Sequence, residues 1–228
     1  MSQLTKHDLA VRMAELSRNL PAQPTLDTIL AEVTAAAVSL IPGVDTAGIL
    51  LLEKGGKFRS LATTSDLPEQ LDILQMTFDE GPCVQAALAD TVVRTDDFRV
   101  ETRWPQYSPA VVEIGVLSGL SFKLYTADRT AGALNLFGFQ ETTWSADDET
   151  VGSVLAAHAA AAIIATQTQS QLTAALLSRD RIGQAKGIIM ERFSVDAVRA
   201  FNMLRQLSQE GNVKLTEIAA RVIESLEA

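Results

Sequence analysis

Two hairpin signals constrain the fold of this 228-residue chain more than any other feature. Ala47–Leu52 is apolar and partly β-branched, Lys54-Gly55-Gly56 reads as a turn, and residues 57–63 alternate, with Phe58 and Leu61 among polar neighbours. Residues 117–126 and 131–139 form a second pair that turns at Ala127-Asp128-Arg129-Thr130. Thr91–Thr95 reads as a further, buried strand. Paired hairpins imply an antiparallel sheet, and the helical segments around them must cover its faces, so an α+β domain is expected.

The helical segments follow from apolar spacing. Leu4, Leu9, Met13, Leu16 and Leu20 predict a first helix, ended by Pro21 and Pro24. Leu26, Ile29, Leu30, Val33 and Ala37 share a face of a second helix over 25–39, which Pro42-Gly43 stops. Short helices are expected over 67–76, 83–89 and 111–114, with a loop over 96–109 that carries Trp104, Pro105 and Tyr107. Ser145 opens the longest helix, which continues to Phe193. Its hydroxyl can accept from the Asp148 amide while the Asp148 carboxylate reaches back, and Asp147, Asp148 and Glu149 sit at the positive end of the helix dipole. Leu155, Ala162, Leu172 and Leu176 offer an imperfect seam for a second such helix. Beyond it, Ser194 is the expected N-cap of a helix with Val198, Phe201, Leu204 and Leu207 on its apolar face. Gly211 is its expected C-terminal stop, and a last helix runs over 215–226. The chain thus divides into a leading helix (1–24), an α+β domain (25–165) and a small three-helix unit on a long helical stem (166–228).

Charge divides the same way. Residues 1–165 hold 11 Lys and Arg against 21 Asp and Glu, whereas residues 166–228 hold 8 against 7. A net charge of −9 opposes loose attraction to nucleic acid, so any such contact must be local. Hydrophobic content of 47% and charged content of 21% suit a folded chain. One cysteine, Cys83, excludes an internal disulfide and points to a reducing cytoplasm; the first residues lack the apolar core of a signal peptide. The apolar run 151–165 is mostly alanine and too short to span a bilayer, so no membrane association is expected.

The residues Ile182, Gln184-Ala185-Lys186-Gly187, Met190, Ala200-Phe201, Leu204-Arg205, Leu215 and Ile218-Ala219 fall in order in a pattern that resembles the ANTAR domain, an RNA-binding module of bacterial antitermination regulators. The resemblance spans about Leu172 to Leu226. It implies a three-helix bundle on a coiled-coil stem and binding to paired hairpins in nascent transcripts. Glu80-Gly81-Pro82-Cys83, Asp96-Asp97, Trp104-Pro105 and Ala133-Leu134-Asn135-Leu136-Phe137 resemble a GAF domain of the kind that precedes ANTAR domains in actinobacteria. That likeness covers roughly 25–165 and implies a fold that senses a small molecule or a redox state and often dimerises. It names no ligand, and the cofactor, if any, stays unknown.

Of the basic residues in the tail, Lys186, Arg192, Arg205 and Lys214 are the candidates for RNA contact; the competing reading is a solvated surface paired with Glu191, Glu217 and Glu224. Gly183 and Gly187 each weaken a helix by ~1 kcal/mol relative to alanine, for which a close helix crossing is the commoner reason and close approach of RNA the rarer. Met190, Phe201, Met203 and Leu204 read as core. Cys83 and Trp104 are the candidate sensing residues: a thiol at a helix N-terminus can be made acidic, although a buried inert thiol is the commoner case. His158 reads as a packed or interface histidine. Asp96 and Asp97, adjacent on an extended chain, point opposite ways and read as turn or cap residues rather than paired catalytic carboxylates. Two histidines and one cysteine cannot build a typical zinc site, and no phosphate loop or nucleophile motif is present, so no enzyme is expected. The readings left open are a sensor with an RNA-binding output, a sensor whose tail docks on protein, and a DNA-binding helical tail.

Overall fold

The computed structural model describes residues 25–52, 58–88, 91–126 and 129–225. The leading helix expected over 4–20 and the turn at 54–56 lie outside the described residues. The chain divides into two compact units with the border between Ala165 and Thr166.

In the first unit, helix α1 (Leu26–Leu40) is followed by strands β1 (Thr46–Leu52) and β2 (Phe58–Leu61), helices α2 (Leu67–Phe78) and α3 (Pro82–Leu88), and strand β3 (Val92–Thr95). Helix α4 (Tyr107–Glu113) then leads to strands β4 (Ser118–Thr126) and β5 (Arg129–Gly138), and helix α5 (Ala146–Phe193) leaves the unit. The strands make one antiparallel sheet in the order β2-β1-β5-β4-β3. Both expected hairpins are therefore present, and β1 and β5 join them at the centre, with Ile49 opposite Leu134.

Alternation assigns the two faces of the sheet. Ala47, Ile49 and Leu51 of β1, Leu120, Phe122 and Leu124 of β4, and Leu134 and Leu136 of β5 pack against α1 and the first part of α5. The intervening residues face α2, α3, α4 and the loop before α4, where Phe98, Trp104, Tyr107 and Phe137 form an aromatic core. Thr25 caps α1, its hydroxyl accepting from the Thr28 amide at 3.2 Å. The capping box at the head of α5 is present as expected: the Asp148 amide donates to Ser145 Oγ at 3.2 Å and the Ser145 amide to Asp148 Oδ2 at 2.9 Å.

Helix α5 contains a stretch apolar enough to cross a membrane by length and composition. Five residues of its first part, Leu155, Ala156, Ala159, Ala160 and Ile163, are instead buried in the core of this unit. Leu155 is 0% exposed there, so it is not available to the seam with a second helix in which the sequence placed it. Leu172 and Leu176 are 62% and 57% exposed.

The second unit consists of the later part of α5 with helices α6 (Ala197–Glu210) and α7 (Leu215–Glu224). Its core is small: Ala185 and Ile189 of α5, Ala200 and Leu204 of α6, and Ile218 and Ala219 of α7. Two expected helix boundaries, one start and one end, are each displaced. Asp196, not Ser194, caps α6, its carboxylate accepting from the Arg199 amide at 2.7 Å, while Ser194 turns the chain at φ 51°. Gly211 keeps a right-handed conformation, and Asn212 takes the left-handed one at φ 47°, a conformation asparagine tolerates better than most residues.

Candidate sensing cleft and nucleic-acid interface

In the first unit the notable element is α2. Its buried residues are Pro68, Leu71, Asp72 and Gln75, a helical spacing in which two of four members are polar. Two of its apolar residues, Ile73 and Met76, are 59% and 41% exposed. A polar cluster forms on the buried side. Asp72 Oδ2 accepts from the Ser60 hydroxyl at 2.6 Å, and Oδ1 accepts from the side-chain amides of Asn135 at 3.3 Å and Gln75 at 3.4 Å. Asn135 Oδ1 in turn accepts from the Ser121 hydroxyl at 2.8 Å, and Gln75 Oε1 accepts from the Cys83 amide at 2.8 Å. Burial raises the Asp72 carboxyl to about 7, against the lowering by Ser60, Asn135 and Gln75. A cleft of about 400 Å³ opens beside this cluster, lined by Phe58, Ser60, Glu69, Asp72, Ile73 and Met76 among others.

The glycine-proline-cysteine stretch serves this cluster. At φ +126°, Gly81 lies so close to Gln75 that a Cβ there would come within 2.6 Å of its Oε1. Cys83 is 1% exposed, and burial, followed by the Asp72 charge, pushes its thiol well up. Cys83 thus occupies the buried setting that is the commoner case for a lone thiol, where desolvation disfavours the thiolate. Trp104 is 4% exposed, packed among Phe98 and Tyr107 with the Arg103 guanidinium 4.5 Å from its ring centroid. The structure brings Cys83 to the polar cluster and places Trp104 in the aromatic core.

Glu80 has a structural task. Its carboxylate accepts from the Gln106 amide at 2.8 Å and the Tyr107 amide at 3.1 Å, capping α4 from 26 positions upstream. Burial acts to raise its pKa, but these bonds and that from the Gln106 side chain hold it below its ordinary value. The helix accordingly starts at Tyr107, inside the loop expected over 96–109, rather than at Val111. Asp97 turns the chain by accepting from the Arg99 amide at 2.9 Å, and Asp96 Oδ1 lies 3.5 Å from the Trp144 amide. His158 is half-buried on α5.

In the second unit, Arg192, Arg205 and Lys214 are exposed and Lys186 is half-buried. Arg179, Arg181, Arg199 and Arg221 are exposed as well. Among the described residues none of these eight cations has a carboxylate within ion-pair distance, so the surface pairing with Glu191, Glu217 and Glu224 is not formed. Among the described residues Gly183 and Gly187 do not mark a close helix crossing: a Cβ at either would meet nothing within 4 Å. Phe201 is 39% exposed rather than core, whereas Leu204 is fully buried and Met190 and Met203 pack against the core.

The GAF domain family matches residues 23–164 and the ANTAR domain family residues 170–223. The sheet and its helices are similar to the GAF domain of a phosphoenolpyruvate-protein phosphotransferase from Coxiella burnetii. That likeness has a TM-score of 0.61 at 17% identity and covers 72% of this chain and 98% of that one. They are also similar to the GAF domain of the Acinetobacter phosphoenolpyruvate-protein phosphotransferase, with a TM-score of 0.56 at 17% identity, covering 74% and 97%. At such identities the likeness is one of fold. No curated protein has a sequence similar to this chain. A GAF domain followed by an ANTAR domain is the architecture of a sensor joined to a regulatory output, and the chain belongs to the GAF domain family with an ANTAR domain behind it.

Proposed function

We propose that the protein is a cytoplasmic transcription antitermination regulator of the actinobacterial type. Residues 25–165 act as the sensor and residues 166–228 as the output, which binds paired hairpins in nascent RNA and keeps a terminator from forming. The observation that carries this reading is the coincidence of the ANTAR match with a three-helix unit whose eight basic side chains have no carboxylate partner among the described residues. Unpaired guanidinium and ammonium groups are available to phosphates and to bases splayed from RNA loops. Lys186, Arg192, Arg205 and Lys214 are the proposed contacts.

The active species is a homodimer joined along the exposed stem, through Leu172 and Leu176, so that two output units meet two hairpins. Linking two weak contacts raises effective concentration and makes a small basic face sufficient. A small molecule in the GAF half sets the pairing of the stems; Cys83 and Trp104 report on or support that site from within the core. The reading assigns the chain no reaction of its own and no membrane.

The test is retardation of a two-hairpin RNA, a single hairpin, a scrambled RNA and duplex DNA by the full chain at physiological salt. Selective retention of the two-hairpin RNA is expected, with affinity falling as salt rises because each neutralised phosphate releases counterions. Leu172→Asp should abolish both dimerisation and RNA binding. Full binding by a dispersed Leu172→Asp monomer rules out the dimer scheme, and preference for duplex DNA rules out the RNA reading.

A further inference from the structure

Helix α2 buries the polar Asp72 and Gln75 beside Pro68 and Leu71 and leaves Ile73 and Met76 exposed along the cleft. Asp72 is 3% exposed and takes three side-chain hydrogen bonds, all from neutral donors: the Ser60 hydroxyl and the amides of Gln75 and Asn135. No cation lies beside its carboxylate among the described residues; Glu69, one turn earlier on the same helix, is the charge felt there and adds repulsion. A buried carboxylate without a cationic partner is costly, and water cannot supply the missing charge. Glu69 and Asp72 both line the cleft, whose remaining wall combines the apolar Leu50, Phe58, Ile73 and Met76 with Ser60, Thr77 and the guanidinium-bearing Arg59. Two carboxylates are too few for a dedicated metal site, and among the described residues no third His, Cys, Asp or Glu joins them.

We propose that this cleft binds a small organic amine, its ammonium group between Asp72 and Glu69 and its hydrocarbon body along Phe58, Ile73 and Met76. The inference deepens the reading of the GAF half as the sensing half by naming the chemical class of what it senses. An ammonium donates to the carboxylate oxygens and supplies the charge that the protein leaves out, while the exposed apolar residues of α2 gain cover. Because burial raises the Asp72 carboxyl to about 7, an ammonium competes with its proton there, and binding strengthens as pH rises through that range. The other titratable groups facing Asp72 are Glu69 on its own helix, Cys83 on α3 and Tyr107 on α4, with Arg59 of β2 also lining the cleft. Burial pushes the Cys83 and Tyr107 pKa values up, so both stay neutral and the proton lost belongs to Asp72.

The experiment is calorimetric titration of the full chain with hexylamine, and with hexan-1-ol and hexanoate as matched controls, between about pH 6 and pH 8. Saturable binding of hexylamine is expected, about tenfold or more tighter than hexan-1-ol and tightening with pH. Asp72→Asn, which keeps the hydrogen-bonding shape and removes the charge, should reduce hexylamine to the affinity of the alcohol; Glu69→Gln should weaken it less. No saturable amine binding, equal affinity for amine and alcohol, or undiminished binding by Asp72→Asn overturns the proposal. Should the variant fail to fold, the carboxyl ¹³C titration of Asp72 in the unaltered protein decides: hexylamine must move it to lower pH, and an unmoved titration overturns the proposal. Amine binding is read without RNA, so its absence beside intact hairpin recognition refutes the amine alone, and the converse refutes the RNA reading alone.

Discussion

Helix α5 carries glycines in both units, in opposite circumstances. At Gly152 the Phe122 ring of the sheet lies so close that a Cβ would come within 2.1 Å of it. At Gly183 and Gly187 a Cβ would touch nothing. A glycine in a helix interior costs stability in either place. In the first unit the reason is visible inside the molecule: the helix must lie flat on a phenylalanine. In the second unit no contact among the described residues accounts for the cost, which fits the proposal that a partner approaches there. The same contrast separates the charges, since Arg94, Arg99 and Arg103 of the first unit pair with Glu149, Asp97 and Glu101, while the tail's cations pair with none among the described residues. The first unit pairs these arginines internally, whereas the cations of the second are left open to the proposed RNA.

The exception in the first half is Asp72, and removing its charge gives the largest expected effect. Its folded value of about 7 lies above its ordinary 3.8, so the folded chain holds this proton more tightly than the unfolded one. The contribution to stability is fully present below about pH 4, declines as pH rises and is lost above about pH 7. Asp72→Asn should therefore gain on the parent protein with rising pH, by up to about 4 kcal/mol at alkaline pH, in paired urea titrations across that range. A constant difference would mean that the carboxyl ionises freely where it stands.

Gly152→Ala comes next. Crowding the Phe122 ring should cost about 1–3 kcal/mol despite the better helix propensity, read as a lower urea midpoint with unchanged slope. A stabilised variant would break the comparison at its first half. Gly183→Ala and Gly187→Ala should each raise stability by ~1 kcal/mol, while weakening either dimerisation or hairpin binding. Full RNA affinity and an unchanged dimer in the doubly substituted chain would break it at the second half, leaving the two glycines without an outward task. The smallest effect is the most local. Glu80→Gln should speed hydrogen exchange at the Gln106 and Tyr107 amides and leave exchange in the β4–β5 hairpin alone.

Features whose causes lie close together along the chain were legible in the sequence. The box at Ser145 and Asp148 is closed by residues three apart, and the β4–β5 hairpin is signalled by its own alternation. The start of α4 was not legible, because its cap comes from Glu80 across the fold rather than from Trp104-Pro105 beside it. Leu155 looked as suitable for a helix seam as Leu172, since spacing alone does not say which turns of α5 the sheet already covers. Only a helix was expected over 67–76, without an inner face; the structure buries Asp72 and Gln75 beside Leu71 and turns Ile73 outward. The available sign was the placing of Asp72 and Gln75 at core spacing from Pro68 and Leu71, which an apolar count passes over. In the tail the basic residues were visible as candidates, but only the fold tells that their carboxylate neighbours leave them unpaired.

Trp104 and Trp144 are the only tryptophans of the chain, and both are buried in the first unit, one on each side of the sheet. The protein is therefore its own optical probe, and a selective one. Tryptophan emission should start at the short wavelengths of a dry environment and register unfolding of the sheet domain, while the three-helix tail contributes no indole signal. Loss of the tail's structure, followed by circular dichroism, can be separated from loss of the sensor's, followed by fluorescence, in the same unlabelled sample. Replacing Trp144 or Trp104 by phenylalanine would narrow the signal to a single face: the remaining Trp104 reports from the side of α2 and its cleft, the remaining Trp144 from the side of α1 and α5.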